Sequence, residues 1–431
     1  MRSAWVGIFV LAVAVVGGGP SFGHAQSQPP AGEITVDELV ARALAENPDI
    51  LAAQADVDAA KGRLLQAGLR PNPMVELGGQ KALGPDNNVM VGLSLPLDLN
   101  RRKEGRVGVA GRELEMKQAQ VTDRERRLRA DVRMKAADVL GAQRDLQVAD
   151  DLLRANRAAL GLVGERARRG AVPPLEENLL LVEVNRLEAS RRMLESRVEV
   201  FTLQLKALVA WPPEAALTLK GDLGAPSPTI DRPAGVAQAL ERRADLRAAQ
   251  ADAAMARAKI LKEQAEGRWD ASISVNYQRQ DFGFGLNGIT DRGGTRPIQD
   301  VFHYFGGAVT ITLPVRNQNQ GNVAAARAEA TAADRRIELT VLTIRQEVNA
   351  AFTQYEAAQR SLEIYARGVR DVARRNLDVV RQTYDLGRGS LLDVVAEQRR
   401  YIDIEMGFTE ALKQVYNAAV EIDRTAGTGA R

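Results

Sequence analysis

Hydrophobic and polar positions alternate along this chain at two periods, and the switches between them divide it into elements. Four segments of about ten residues alternate with a period of two, as strands do when one face is apolar. In the first, Met74 to Gln80, Val75 and Leu77 share a side. In the second, Val89, Val91, Leu93 and Leu95 oppose Met90, Gly92 and Ser94. In the third, Ile273, Val275 and Tyr277 oppose Ser272, Ser274, Asn276 and Gln278. In the fourth, Phe305, Val309, Ile311 and Leu313 oppose Tyr304, Thr310 and Thr312. Elsewhere the period is helical. Val132, Val139, Leu146, Leu153 and Leu160 recur every seven residues. Ile337, Val341, Ile344, Val348, Ala351, Tyr355, Ala358, Leu362, Tyr365, Val369 and Val372 follow a four-three step, the spacing of coiled-coil packing. No proline occurs between Pro96 and Pro173 or after Pro314. Uninterrupted helices of about 65 residues are therefore predicted, near 100 Å long at 1.5 Å per residue. They turn at Gly170–Pro174 and Gly387–Ser390 and run back, the first return helix ending at Pro212-Pro213.

The elements come in the same order twice. Asp49-Ile50-Leu51-Ala52-Ala53-Gln54-Ala55-Asp56 aligns without a gap to Asp245-Leu246-Arg247-Ala248-Ala249-Gln250-Ala251-Asp252. Leu93-Ser94-Leu95-Pro96 matches Ile311-Thr312-Leu313-Pro314, and Gly170 with Leu175-Glu176 matches Gly387 with Leu392-Asp393. Each copy reads short helix, strand pair, long helix, turn, long helix. The expected organisation is an N-terminal segment and first short helix (26–68), a first β-hairpin (69–98), and a first long helical hairpin (99–213) with its tip near 170–174. A linker (214–235), a second short helix (236–267) and a second β-hairpin (268–314) with a long loop at 280–300 follow. The second long helical hairpin (315–425) has its tip near 385–390.

The first 25 residues read differently. Arg2 gives a positive start, Val6 to Val16 a short apolar run, and Gly23-His24-Ala25 a small-x-small site. This is a secretory signal peptide pattern, with cleavage expected after Ala25. The apolar run is too short to span a bilayer, so any membrane crossing falls to the strands.

Composition removes chemistry rather than adding it. Cysteine is absent, which excludes disulfides, thiolate metal sites, a thiol nucleophile and a lipid-modified cysteine. Histidine occurs only at His24 and His303, so a catalytic triad or a His-rich metal site is not expected. The net charge of +3 comes from interspersed acids and bases, without the basic footprint of a nucleic-acid binder. The basic runs Arg124–Arg129 and Arg166–Arg169 read as solvated faces or inter-helix salt bridges.

A soluble half-buried sheet shows the same alternation as these strands, but the helices are too long for a compact domain. Four strands cannot close a membrane barrel, and an open strand edge cannot face lipid. Strands placed in a membrane therefore predict a shared barrel, with three protomers giving twelve strands and a twelve-helix tube.

These features together resemble the TolC-like outer membrane efflux family, over about Ile34 to Ala426. Several motifs resemble its CzcC-like, cation-exporting branch. They are Leu69-Arg70-Pro71-Asn72-Pro73 before the first strand, Leu95-Pro96-Leu97-Asp98-Leu99 with Arg101-Arg102 after the second, and Arg316-Asn317-Gln318-Asn319-Gln320-Gly321 after the fourth. Asn100 stands where that branch usually has glycine. Tyr384-x-x-Gly387-x-x-Ser390-x-x-Asp393 resembles the family's periplasmic-tip turn.

The resemblance implies a mainly α protein with a transmembrane β part. It implies a homotrimeric conduit whose barrel sits in outer-membrane lipid and whose helical tunnel crosses the periplasm. Its expected partners are a periplasmic adaptor and an inner-membrane pump, of the resistance–nodulation–division type for divalent metals. No enzyme activity and no cofactor are expected. Gly170, Gly387, Arg388 and Ser390 are expected to dock the adaptor, and Asp393 with its counterpart Glu176 to narrow the pore. A second acid of the family's tip is replaced here by Ala396, with Glu397 on a different face. Trp269, Tyr277, Phe302, Tyr304 and Phe305 are expected at the membrane interface. His303 reads as a girdle or loop residue. A drug-exporting channel and a periplasmic adaptor remain as alternatives.

Overall fold

The computed structural model describes residues 33–83, 86–224 and 230–427. The expected signal peptide lies outside them. A short strand β1 (Glu33–Thr35) leads into α1 (Val36–Glu46) and α2 (Pro48–Gly68), then β2 (Met74–Lys81) and β3 (Asn87–Leu97). The long helix α3 (Arg102–Arg168) and the return helix α4 (Pro174–Leu208) complete the first copy, and β4 (Thr218–Lys220) follows. The second copy has α5 (Arg232–Arg242), α6 (Ala244–Glu266), β5 (Asp270–Ile289) and β6 (Thr295–Thr312). It continues through α7 (Gln320–Ile364), a π-helical turn (Tyr365–Val369), α8 (Arg370–Asp385) and α9 (Leu391–Ala426).

Each expected short helix is two helices with one kink geometry. Asn47 (φ −66°, ψ 125°) and Arg243 (φ −64°, ψ 130°) are the breaks, at equivalent positions of the two copies. Asn47 caps α2 by accepting from the Asp49 and Ile50 amides, and its Nδ2 donates to Leu208 O at the end of α4. Pro48 follows at the first helical position, where its missing N–H costs nothing. The buried Arg243 pairs with Asp245 at 2.5 Å and Glu347 at 2.6 Å, and reaches Thr425 O at the end of α9. One joint is thus built with an amide and the other with a guanidinium. The expected linker also carries structure: β4 pairs in parallel with β1.

The outgoing helix α3 is unbroken over 67 residues, as the missing prolines predict. The return helices α4 and α9 span 35 and 36 residues, starting at the two turns, and α4 ends at Leu208, shortly before Pro212-Pro213. The rest of the length of α3 and α7 is covered by α2 and α6, packed on α3 and, for α6, on α7. At Gly105 the backbones of α3 and α6 approach so closely that a Cβ would lie 2.8 Å from Lys262 Cα.

The heptad seam of the second copy is buried at Ile344, Val348, Ala351, Tyr355 and Ala358 and then changes phase. Val372 is exposed, and α8 buries Ala373 and Leu377 instead, one residue later than the four-three step predicts. The π turn supplies the extra residue. It lies where Tyr365 stacks against Gly407 of α9, so closely that a Cβ there would sit 2.7 Å from the phenol oxygen.

The four long strands form one antiparallel sheet in the order β2-β3-β5-β6. The long loop expected at 280–300 is mostly strand. β5 and β6 stay paired up to Ile289 and Thr295, with a register irregularity between Phe284 and Asn287. Phe282 of β5 meets Phe302 of β6 edge-on across the pair, a cross-strand contact that supports pairing in a stretch whose glycines suggested a loop.

Candidate functional site

Two regions carry the candidate chemistry: the helical tip and the sheet face. At the tip, both long helices end in the same way. Gly170 (φ +71°) and Gly387 (φ +72°) take the left-handed conformation that closes a helix. The Gly170 amide donates to Ala167 O and the Ala171 amide to Arg166 O; the Gly387 amide donates to Tyr384 O and the Arg388 amide to Thr383 O. This paired bonding is the Schellman motif, repeated at equivalent positions of the two copies.

The return helices start differently. Ser390 caps α9, its Oγ accepting from the Leu392 amide at 3.1 Å. Asp393 completes the capping box, its carboxylate accepting from the Ser390 amide at 3.3 Å. In the other copy, Pro173 and Pro174 occupy the start of α4, and Glu176 is free to reach across the chain. It accepts a hydrogen bond from Tyr384 Oη at 2.6 Å. The two expected constriction acids therefore have different local partners, one its own helix and the other α8. Arg388 is exposed beside the turn.

Below this bond, Val163, Leu180 and Leu391 form a small buried core with Val172, Leu179 and Tyr384 packed on it. Burial, followed by the Glu176 hydrogen bond and charge, pushes the Tyr384 phenol up to about 12. Further along, Glu183 is buried and held by Arg186 at 2.6 Å and Arg399 at 2.9 Å; these guanidiniums outweigh its burial and keep its carboxyl below the usual range. Glu397, next to the missing acid at Ala396, is buried and pairs with Arg400. Tyr384 appears in the tip motif without a role, because its partner is 208 residues away. Its place in the last turn before Gly387 is the available sequence signal. Of the basic runs, Arg124 makes an inter-helix bridge to Asp49 of α2, whereas Arg126 and Arg127 share Asp123 and Arg168 pairs with Glu165 within α3 itself.

The sheet register places the apolar side chains in rows across all four strands. Leu77, Val91, Tyr277 and Phe305 pair in one row, and Val75, Leu93, Val275 and Gly307 in the next. Leu95, Ile273 and Val309 continue the same face. Apart from the half-buried Tyr277, its large side chains are left open, from 42% exposure at Val91 to 84% at Phe305. The opposite face carries Glu76, Ser94, Ser274, Asn276 and Gln278. Among the described residues, none covers the apolar face, an arrangement that water penalises and lipid does not.

The expected interface aromatics divide between the faces. Tyr277 and Phe305 lie on the apolar face, in contact at 5.1 Å between ring centroids. Phe302 and Tyr304 are of the other parity, across from Gln280 and Gln278, and so point to the polar side. Trp269 stands just before β5, and its carbonyl accepts from Asn100 Nδ2 at 2.5 Å. Asn100 has φ +58°, which accounts for glycine in the branch it resembles. His303 shares a 2.7 Å hydrogen bond with Tyr277 Oη. Among the described residues, no group of three or more His, Asp and Glu side chains could hold a metal ion. Among them, no helix is long and apolar enough to cross a membrane.

The comparisons with known proteins agree with this geometry. The cobalt-zinc-cadmium resistance protein CzcC of Cupriavidus metallidurans is 23% identical over 399 residues, covering 92% of this chain and 91% of that protein. Among solved structures, the outer-membrane channel OprN superposes with a TM-score of 0.73 at 20% identity, covering 91% of this chain and 90% of the other. CusC superposes with a TM-score of 0.74 at 15% identity, covering 93% and 95%. A family model described as outer membrane efflux protein matches residues 39–204 and again 235–428, one match to each copy of the repeat. The chain belongs to the outer membrane efflux protein family.

Proposed function

We propose that three copies of this chain form a passive conduit through the outer membrane, with a twelve-strand barrel and a twelve-helix periplasmic tunnel. The observation that carries the reading is the four-stranded sheet. Among the described residues, its strands β2 and β6 are open edges, and one face is apolar and uncovered from the row of Leu95, Ile273 and Val309 to that of Leu77, Val91, Tyr277 and Phe305. Backbone groups on those edges need partners in lipid, and β6 of one copy against β2 of the next supplies them. Export through such a conduit is driven by an inner-membrane pump of the resistance–nodulation–division type and relayed by a periplasmic adaptor. The adaptor meets the tip at Gly170, Gly387, Arg388 and Ser390. The Glu176–Tyr384 bond holds the two helical hairpins of a protomer together there, and Asp393 and Glu176 line the narrowed end. The sheet aromatics Tyr277, Phe305 and Trp269 mark the lipid boundary. The whole-chain family match sets aside the reading of the chain as an adaptor.

The proposed cargo is divalent heavy-metal cations. The motifs around the strand ends and the relative named for cobalt, zinc and cadmium resistance support it. The test is growth of a deletion strain against graded zinc, cobalt, cadmium, nickel, copper and silver, beside dyes, detergents and antibiotics. Sensitivity to metals alone, restored by the gene, is expected. Sensitivity to organic compounds alone would overturn the metal cargo and move the protein to drug export.

A further inference from the structure

The apolar sheet face ends, on the helical side, at four cations that have no partner among the described residues. Arg70 precedes β2, Lys103 follows β3, Arg268 precedes β5 and Arg316 follows β6, so each strand has one such residue at the same end. All four are exposed, and their side chains make no ion pair or hydrogen bond among the described residues. Acids are not lacking nearby, because the neighbouring arginines are paired. Arg101 holds Glu104, Arg102 holds Asp270 and Arg106 holds Asp98.

The charge balance differs between the two ends of the sheet. Residues 66–73, 98–106, 266–270 and 313–319 carry seven cations against four acids. Residues 79–88 and 279–301, at the other end, carry four of each. Apolar and aromatic residues share the cationic zone: Leu69, Trp269, Leu313 and Val315 are all exposed there. A cavity of about 270 Å³ lies in the same zone between α3 and α6, with Arg101, Arg268 and Leu261 among its walls.

We infer that Arg70, Lys103, Arg268 and Arg316 form a belt that binds the phosphate headgroups of anionic phospholipid in the periplasm-facing leaflet. The inference rests on the reading that the apolar face meets lipid. At the boundary of an apolar band, long cationic side chains lay their stems on hydrocarbon and carry their charge to headgroup level. Phosphate is the anion present at that depth, and guanidinium meets it with paired N–H donors. One cation per strand, with no internal acid to compete, fixes the height of the sheet in the bilayer around its circumference.

The test uses the purified full chain in vesicles of phosphatidylcholine mixed with phosphatidylglycerol, and quantifies the lipid that stays bound on re-extraction. The wild-type chain is expected to enrich phosphatidylglycerol about tenfold or more, falling as salt is raised. The variant R70Q/K103Q/R268Q/R316Q is expected to lose the enrichment while still entering vesicles, and R70K/R268K/R316K to keep it. Should the fourfold variant not assemble, R268Q and R316Q are measured singly, each expected to lower enrichment about twofold. Equal retention of both lipids by the wild type, or undiminished enrichment in the glutamine variants, would overturn the belt. Failure to enter any vesicle would instead overturn the membrane reading beneath it, and the belt with it.

Discussion

At the residue scale, the tip turns were legible in the sequence and the bond between them was not. Gly170, Gly387 and Ser390 stand out because helix capping depends on a few neighbouring residues. The same locality makes Asp393 a capping-box acid. Glu176 and Tyr384 become partners only once both long helices have folded back, which no short window reveals. Their bond gives a sharp prediction. Tyr384→Phe removes the hydroxyl and should raise the basal ion conductance of reconstituted channels several-fold, with little change in folding. The pH dependence follows from the raised Tyr384 pKa. The folded chain keeps this phenol protonated where an unfolded chain has lost the proton. Its contribution is therefore complete below about 10 and is lost as pH rises from there to about 12. Wild-type conductance should climb across that window and the Tyr384→Phe channel should not; parallel curves would contradict the latch.

At the element scale, periodicity foretold which segments are helix and strand but not where phase or pairing changes. The seam is readable through Ala358 because each step adds to one buried stripe. The π turn breaks the stripe for a reason written elsewhere in the chain, in Gly407 and the ring of Tyr365. The strand ends of β5 and β6 escaped for a related reason: glycines at 283, 285 and 288 signal a loop, while the aromatic contact that favours pairing lies across the hairpin. If the π turn is a one-residue insertion, deleting Gly368 should turn it into α-helix and leave Ala373 and Leu377 in the seam. Thermal unfolding of that variant should stay within a few degrees of wild type. Deleting Ala357 instead would rotate the seam beyond it by about 100° and should lower the midpoint much further. Equal losses from the two deletions would contradict the insertion.

At the scale of the whole molecule, the repeat told most of the story. Two copies of one element order, each matched by the family model, give a protomer with a helical part and a four-stranded sheet. The kinked short helices and the strands extended through 280–300 are the main revisions, and both concern the course of expected elements rather than which elements exist. The sheet itself stays unsatisfied: among the described residues, β2 and β6 keep open edges, and Val91, Val275 and Phe305 have no cover. In the proposed assembly the edges pair between copies and lipid covers the face, which makes oligomeric state the most direct test of the account. The measurement is the native mass of the chain extracted from outer membranes in mild detergent. A single species of three protomers, persisting on dilution, is the predicted result; a monodisperse monomer would contradict the shared barrel.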